Sequence, residues 1–282
     1  MMTKLLMRLT PQQGIVLYYL VAIFISFLLL RIPYVHKEGI TISYIDSLFV
    51  AVSGISVTGL SSVSIVDTYS TFGQMIIIFI LNLGGIGVMA MGTLLWVILG
   101  KKIGMRERQL IMVDHNQYKM SGVVTLILEI VKTMLVIELC GALMLAFYFY
   151  KDMDSITKAL FHGMFAAVSA TTNGGLDITG DSLNSYANDY FVQTITMFLI
   201  VLGAIGFPVL IEVKSYLTNK IPNFRLSLFA KLTIVTYMLL FILGTLTIYV
   251  FEYHHAFKSI SWHKALFYAM FQSATTRSAG LT

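Results

Sequence analysis

Five long apolar runs constrain this chain more than any other feature of its sequence. They cover residues 15–32, 72–99, 123–150, 190–217 and 226–251, and the shortest has 18 residues. About 20 residues of α-helix cross the apolar core of a bilayer. Charged residues make up only 12% of the 282 residues, whereas a soluble domain carries about 25%. The sequence therefore predicts an all-α integral membrane protein.

The cysteine and the charged residues exclude several features that some membrane proteins have. The single cysteine, Cys140, lies inside an apolar run, so no disulfide framework is expected. The net charge of +5 would suit nucleic acid, but the basic residues fall mainly between the apolar runs, so we expect no nucleic-acid partner. Lys4 and Arg8 precede the first run. That run lacks a small-residue cleavage site, and we expect it to be retained as a helix.

Three further apolar runs, at 42–52, 156–171 and about 260–276, have only half the length of a span. Each is followed by a glycine segment that closes with a Gly-Leu pair, at Gly59, Gly175 and Gly280. We expect the first segment, residues 53–60 (Ser-Gly-Ile-Ser-Val-Thr-Gly-Leu), to resist burial as a helix or strand. Unpaired carbonyls in so apolar a protein are tolerated only against protein or a water-filled path. A row of such carbonyls replaces the hydration shell of a cation.

These features recur in one order, which indicates an internal repeat. The long runs that follow the first two glycine segments share a motif, Leu-Gly-Gly-Ile-Gly at 83–87 and Leu-Gly-Ala-Ile-Gly at 202–206. The predicted unit is a span, a re-entrant short helix, a glycine segment and a second span. Two complete units, 1–110 and 111–220, precede the first half of a third, 221–282. We expect the glycine clusters to allow close helix approach, in preference to a hinge.

The basic residues predict the orientation in the membrane. One face would carry eleven of them, namely Lys4, Arg8, Lys101, Lys102, Arg106, Arg108, Lys119, Lys214, Lys220, Arg225 and Lys231. The opposite face would carry six, namely Arg31, Lys37, Lys151, Lys158, Lys258 and Lys264. The positive-inside rule makes the first face, with the N-terminus, cytoplasmic. The glycine segments would then open outward from the cell membrane.

The outer face would also carry an excess of acidic residues. These are Glu38, Asp46, Asp67, Asp152, Asp154, Asp177, Asp181, Asp189 and Glu252. A negative vestibule would concentrate cations by focusing the field. Ordinary polar loops would give a similar composition, so both interpretations stay open.

The glycine segments are the candidate ion site. The carbonyls would come from Ser56, Val57, Thr58 and Gly59; from Thr172, Asn173, Gly174 and Gly175; and from Arg277, Ser278, Ala279 and Gly280. Each short helix would direct its partly negative C-terminus towards them, and glycine permits the backbone angles that turn carbonyls to an axis. The first segment has no carboxylate or histidine, which disfavours a divalent metal and favours potassium. One segment alone would be an ordinary helix cap, whereas three favour a selectivity filter.

The same residues resemble a known family, the membrane subunits of Trk/Ktr/HKT potassium transporters and most closely the Ktr type. The resemblance runs from about Ile15 to Thr282 and rests on the three glycine segments and the two glycine-rich second spans. It implies that Gly59, Gly175 and Gly280 line the filter. It also implies a homodimer of membrane subunits and a cytoplasmic nucleotide-binding regulatory ring. Sodium stays open as a coupling or activating ion.

The family pattern continues with the second span of a third unit, which holds a gating loop, and with a fourth unit. We therefore expect this chain to be a fragment of a longer protein. A non-conducting fragment or assembly partner is the alternative to a potassium transporter. An intramembrane enzyme is disfavoured, because no Ser/His, Asp/Asp or His-Glu-x-x-His arrangement lies within the spans.

Several polar residues within or beside the predicted helices need a role. Glu129 and Lys132 are three apart, on one helix face, and are expected near the cytoplasmic interface. Glu138 lies deeper. Arg277 is expected to turn away from the ions and to bind a carboxylate. Asn82 is expected to bridge helices by a hydrogen bond. His162 and His263 lie beside short helices without ligand spacing and are expected at the membrane interface.

Overall fold

The computed structural model describes residues 10–101, 103–114, 122–180, 182–218 and 225–281. Their regular secondary structure is helical, which confirms the all-α prediction. The charged residues Lys4, Arg8, Lys102, Lys119, Asp181 and Lys220, the Arg106 side chain and Thr282 lie outside the described part. The chain forms two compact units, one up to Val136 and one from Ile137.

The first unit centres on a short helix that packs against two longer ones. Its helices are α1 (Pro11–Leu30), α2 (Tyr44–Ser56), α3 (Ile65–Thr68), α4 (Thr71–Gly85), α5 (Val88–Ile98) and α6 (Met105–Asp114). Helix α1 begins with a capping box, in which Thr10 Oγ1 accepts from the Gln13 N–H at 3.3 Å and Gln13 Oε1 accepts from the Thr10 N–H at 3.0 Å. Helix α2 packs against both α1 and α4.

The second unit repeats this arrangement and extends it. Helix α7 (Val123–Phe149) enters it and is followed by α8 (Ile156–Thr171), α9 (Tyr190–Ala204), α10 (Phe207–Leu217), α11 (Leu228–Glu252) and α12 (Trp262–Thr275). The short helix α8 packs on α9, and the short helix α12 packs on both α11 and α9. Phe149, Leu199 and Phe271 lie in one buried apolar cluster that joins these helices.

Two predicted spans are not straight helices. Among the described residues, α1 and α11 are long and apolar enough to cross a membrane, whereas α4–α5 and α9–α10 qualify only as pairs bent by 107° and 109°. Each bend contains a glycine with positive φ, Gly87 at +105° and Gly206 at +93°. Such angles are open to glycine because it lacks a Cβ. The runs at 72–99 and 190–217, each predicted to be one span, are thus each a bent pair of helices.

Helix α7 occupies the predicted span at 123–150. Its 27 residues measure about 40 Å at a rise of 1.5 Å per residue. Lys132 is exposed and Glu138 is buried, with 5% of its surface exposed. The proposed pairing of Glu129 with Lys132, and the role of Glu138, stay predictions.

The expected close approach of the glycine clusters is confirmed at one glycine in each motif. A Cβ placed on Gly84 would lie 2.5 Å from the Ile55 carbonyl oxygen and 2.6 Å from that of Gly54. A Cβ on Gly203 would overlap the Thr171 carbonyl oxygen. Since α2 and α8 end at these carbonyls, each motif seats the C-terminal turn of a short helix on a long one.

Gly84→Ala should therefore destabilise the protein. The added methyl group meets backbone oxygens that cannot rotate away, and overpacking of this kind costs about 1–3 kcal/mol. Thermal unfolding of the purified protein in detergent measures the effect. The matched control is Gly92→Ala in α5, where a Cβ would have no neighbour within 4 Å and alanine is the better helix former. Equal melting temperatures for the two variants would contradict the close contact at Gly84.

Candidate functional site

The first glycine segment begins later than the sequence suggested. Helix α2 continues through Ser53 to Ser56, so the expectation that these residues resist helix formation was wrong. The Ser56 hydroxyl donates to the Val52 carbonyl at 2.7 Å, which is a bond that a helix accommodates. The chain then turns at Val57, which has φ +54°, and Gly59 follows at φ +80°.

Two hydrogen bonds that Ser53 accepts hold this turn against the end of α2. The Thr58 N–H donates to the Ser53 carbonyl at 2.9 Å, and the Leu60 N–H donates to Ser53 Oγ at 3.0 Å. A left-handed residue followed by a bond that reaches five residues back is a common helix ending. Val57 is β-branched, so its left-handed angles carry strain of about 1–3 kcal/mol. Strain of this kind persists only where the surroundings impose the conformation.

The second segment has the same backbone pattern. Asn173 is left-handed with φ +60°, and the next N–H, that of Gly174, donates to the Ser169 carbonyl at 2.8 Å. Gly175 follows with φ +61°. The Ser169 hydroxyl donates to the Leu176 carbonyl at 2.6 Å, with both groups buried. Ser169 therefore anchors the residue after the glycine, as Ser53 does in the first unit.

The third segment follows the pattern with one change of register. Ala279 is left-handed with φ +56°, and the Gly280 N–H donates to the Thr275 carbonyl at 3.1 Å. The Thr275 hydroxyl donates to the Leu281 carbonyl. Gly280 also has positive φ, +68°, but it directly follows the left-handed residue. In the other two segments one residue separates the left-handed residue from the glycine of the Gly-Leu pair.

The structure places two of the three predicted segments beside each other. Leu176 of the second and Leu281 of the third border one small cavity within the second unit. The first segment belongs to the first unit. All three glycines of the Gly-Leu pairs have positive φ, and their role in turning carbonyls to an ion stays a prediction.

Asp177 has a structural role that sequence reasoning missed. One carboxylate oxygen accepts from the Thr179 N–H at 2.9 Å and the Thr179 hydroxyl at 2.8 Å. The other accepts from the N–H groups of Gly180 and Ser182, both at 2.9 Å. The residue two positions after Gly175 therefore fixes the loop that follows the second glycine segment. The Asp-x-Thr-Gly pattern at 177–180 was the available signal, because Asp commonly caps such turns.

Arg277 turns away from its own segment, as expected, but towards a different partner. Its guanidinium Nη1 donates to the Tyr237 carbonyl on α11 at 3.1 Å, and Nη2 donates to Ser273 Oγ at 3.3 Å. The same group lies over the rings of Tyr237 and Phe241, 5.3 Å and 5.8 Å from their centroids. The predicted carboxylate is not among these partners. Aromatic faces stabilise a guanidinium in an apolar setting without a counter-charge.

Two other expectations concern polar groups outside the segments. Asn82 Nδ2 donates at 3.3 Å to the Ile78 carbonyl of its own helix, so this donor does not bridge helices. His263 lies 3.2 Å from Ser261 Oγ. Within the described residues, no three His, Cys, Asp or Glu side chains are grouped to hold a metal ion.

Arg277→Gln should loosen the third segment from α11. The variant loses a charged donor to the Tyr237 carbonyl and both ring contacts, so we expect a loss of about 1.5 kcal/mol in unfolding free energy. Thermal unfolding in detergent measures the change, and Lys258→Gln, at an exposed lysine of the same unit, controls for the loss of charge. If the Arg277→Gln and Lys258→Gln proteins have the same melting temperature, the contacts with α11 do not hold the segment.

Comparison with known proteins agrees with this architecture. Residues 9–282 match the family model TrkH, described as a cation transport protein. The chain is 50% identical over 278 residues to Ktr system potassium uptake protein D of Bacillus subtilis, covering 99% of this chain and 62% of the relative. It is 34% identical over 275 residues to Ktr system potassium uptake protein B of the same organism, covering 97% and 60%.

A third relative is named for two ions. Potassium/sodium uptake protein NtpJ of Enterococcus hirae is 30% identical over 274 residues, covering 97% of this chain and 60% of the relative. The chain thus spans about three fifths of the length of these curated relatives. These relatives are named as uptake proteins rather than as enzymes. The chain is a multi-pass membrane protein that belongs to the TrkH family of cation transport proteins, among its Ktr-type membrane subunits.

Proposed function

We propose that the three glycine segments form part of a filter for potassium uptake into the cell. The observation that carries this proposal is the backbone conformation that the segments share: a helix end tied by a hydroxyl group, a left-handed residue, and a glycine with positive φ. The carbonyl oxygens proposed to bind the ion belong to Ser56, Val57, Thr58, Gly59, Thr172, Asn173, Gly174, Gly175, Ser278, Ala279 and Gly280.

The chemistry of these residues favours a monovalent cation. They contain no carboxylate or imidazole, so the attraction comes from carbonyl dipoles and from the partly negative C-termini of α2, α8 and α12. Carbonyl oxygens replace the hydration shell of potassium, which is a weakly hydrated ion. The names of the relatives support potassium as the ion, and the name of NtpJ makes sodium the second ion to test.

The proposal includes the repeat, the orientation and the partners. The repeat units are residues 1–110, 111–220 and the first half of a third unit, 221–282. The distribution of basic residues supports a cytoplasmic N-terminus, with the glycine segments towards the outside of the plasma membrane. A homodimer of membrane subunits and a cytoplasmic nucleotide-binding ring are the partners that the family resemblance supplies.

Gly59→Ser in the full-length transporter should lower selectivity for potassium over sodium. A side chain at φ +80° costs about 1 kcal/mol or more and shifts the adjoining carbonyls. Competition between the two ions for uptake in a potassium-transport-deficient strain measures the ratio. Gly39→Ser is the matched control, because Gly39 has nearly the same φ, +79°, and a Cβ there would meet nothing within 4 Å. An unchanged ratio in Gly59→Ser would remove Gly59 from the filter.

Cysteine labelling tests the orientation. In a Cys140→Ser background, Glu38→Cys should react with a membrane-impermeant maleimide added to intact cells, whereas Lys101→Cys should react only after permeabilisation. Both positions are exposed, so access to the reagent and not burial decides the labelling. The reverse pattern would contradict a cytoplasmic N-terminus.

A further inference from the structure

A cavity of about 20 Å³ lies behind the second glycine segment, within the second unit. Helix α8 contributes His162 and Ser169 to its wall, α9 contributes Thr196, and the ends of two glycine segments contribute Leu176 and Leu281. Space of roughly 10–15 Å³ on this scale holds one water molecule. The cavity therefore has the size of one water and adjoins two segments of the proposed filter.

Two buried polar atoms in this wall have no hydrogen-bond partner in the protein, Thr196 Oγ1 and His162 Nδ1. Thr196 is almost wholly buried, with 2% of its surface exposed. Other helical threonines, such as Thr93 and Thr171, donate their hydroxyl to the carbonyl four residues earlier, at 2.7 Å in both cases. The Thr196 hydroxyl makes no such bond, so it is available to a molecule in the cavity.

The remaining wall explains why these two atoms matter. Phe149, Phe165, Ala166, Ile178 and Leu183 supply apolar surface, and a cavity lined only in this way would stay dry. Asp177 and Thr179 also border the cavity, and both are already hydrogen-bonded within their own loop. A buried hydroxyl or imidazole nitrogen without a partner is unfavourable. One water molecule can bind both atoms, because water both donates and accepts hydrogen bonds. The Thr196 hydroxyl also donates and accepts. The pairing therefore works whichever ring nitrogen of His162 carries the proton.

We propose that one ordered water molecule occupies this cavity, hydrogen-bonds to Thr196 and His162, and holds the second glycine segment in place. The segment is anchored on one side by the bond from Ser169 to the Leu176 carbonyl. The water fills the space beside that bond and prevents Leu176 from collapsing towards α9. Thr196 and His162 are thus positioning residues, and their effect on ion selectivity rests on the proposed function.

The full-length transporter tests this with a pair of near-isosteric variants. Thr196→Val keeps the shape but removes the hydroxyl, and we expect the potassium-to-sodium uptake ratio to fall about three- to tenfold, the equivalent of one lost hydrogen bond. Thr196→Ser keeps the hydroxyl and should stay close to the parent. Thr93→Val, which removes a buried hydroxyl already bonded to Met89, should leave the ratio unchanged.

A double variant separates a shared water from two independent effects. His162→Leu should also lower the ratio, but it should add little in a Thr196→Val background, because groups that share one partner are not additive. Full additivity would overturn the shared water. So would equal ratios for Thr196→Val and Thr196→Ser.

Direct observation distinguishes this inference from the filter itself. A structure of the full-length protein at a resolution that shows waters should contain density within hydrogen-bonding distance of both atoms, and Thr196→Val should abolish it. A dry cavity in the parent overturns the inference. If Gly59→Ser and Gly175→Ser lower selectivity but Thr196→Val does not, the positioning role fails and the filter stands. If the glycine variants keep selectivity, the filter proposal fails, and the density alone decides whether the water is present.

Discussion

The rest of this structure depends on how the unpaired backbone carbonyls at the ends of three short helices are accommodated. An α-helix leaves its last carbonyls without partners, and an apolar surrounding does not hydrate them. This chain ties each helix end with a hydroxyl-bearing residue, Ser53, Ser169 or Thr275, which also binds the residue beyond the turn. These bonds hold each glycine segment in a defined conformation, which the proposed cation site requires. In the third segment the Ser278 carbonyl also accepts from the Gly280 N–H.

The long helices support these ends through glycine. Gly84 and Gly203 let backbone approach backbone at the last turns of α2 and α8, and three residues later Gly87 and Gly206 bend the same long helices by more than 100°. One short motif thus performs two tasks, close packing and bending. Interiors are packed too tightly to absorb an added methyl group without movement, so a shift at either glycine would reach the neighbouring segment.

Sequence pattern and composition predict much of this fold, and the features that they miss have physical causes. Length and hydropathy located the helices, and the positive φ of Gly59, Gly175 and Gly280 follows from a residue type that tolerates it. The continuation of α2 through Ser53–Ser56 was missed because small polar residues suit both helix and turn. The partner of Arg277 was also missed, since a carbonyl on α11 leaves no charge pattern in the sequence.

The sequence by itself determined the membrane class, the family and the positions of the glycine segments. Hydrophobic length and residue spacing are properties of the chain, and they survive whatever the chain packs against. Only the tertiary structure decided that the glycine-rich spans bend, that the third segment differs by one residue in register, and that Thr196 and His162 share a cavity behind the second. Those features depend on which groups from distant parts of the chain meet, and on whether a buried polar atom finds a partner there.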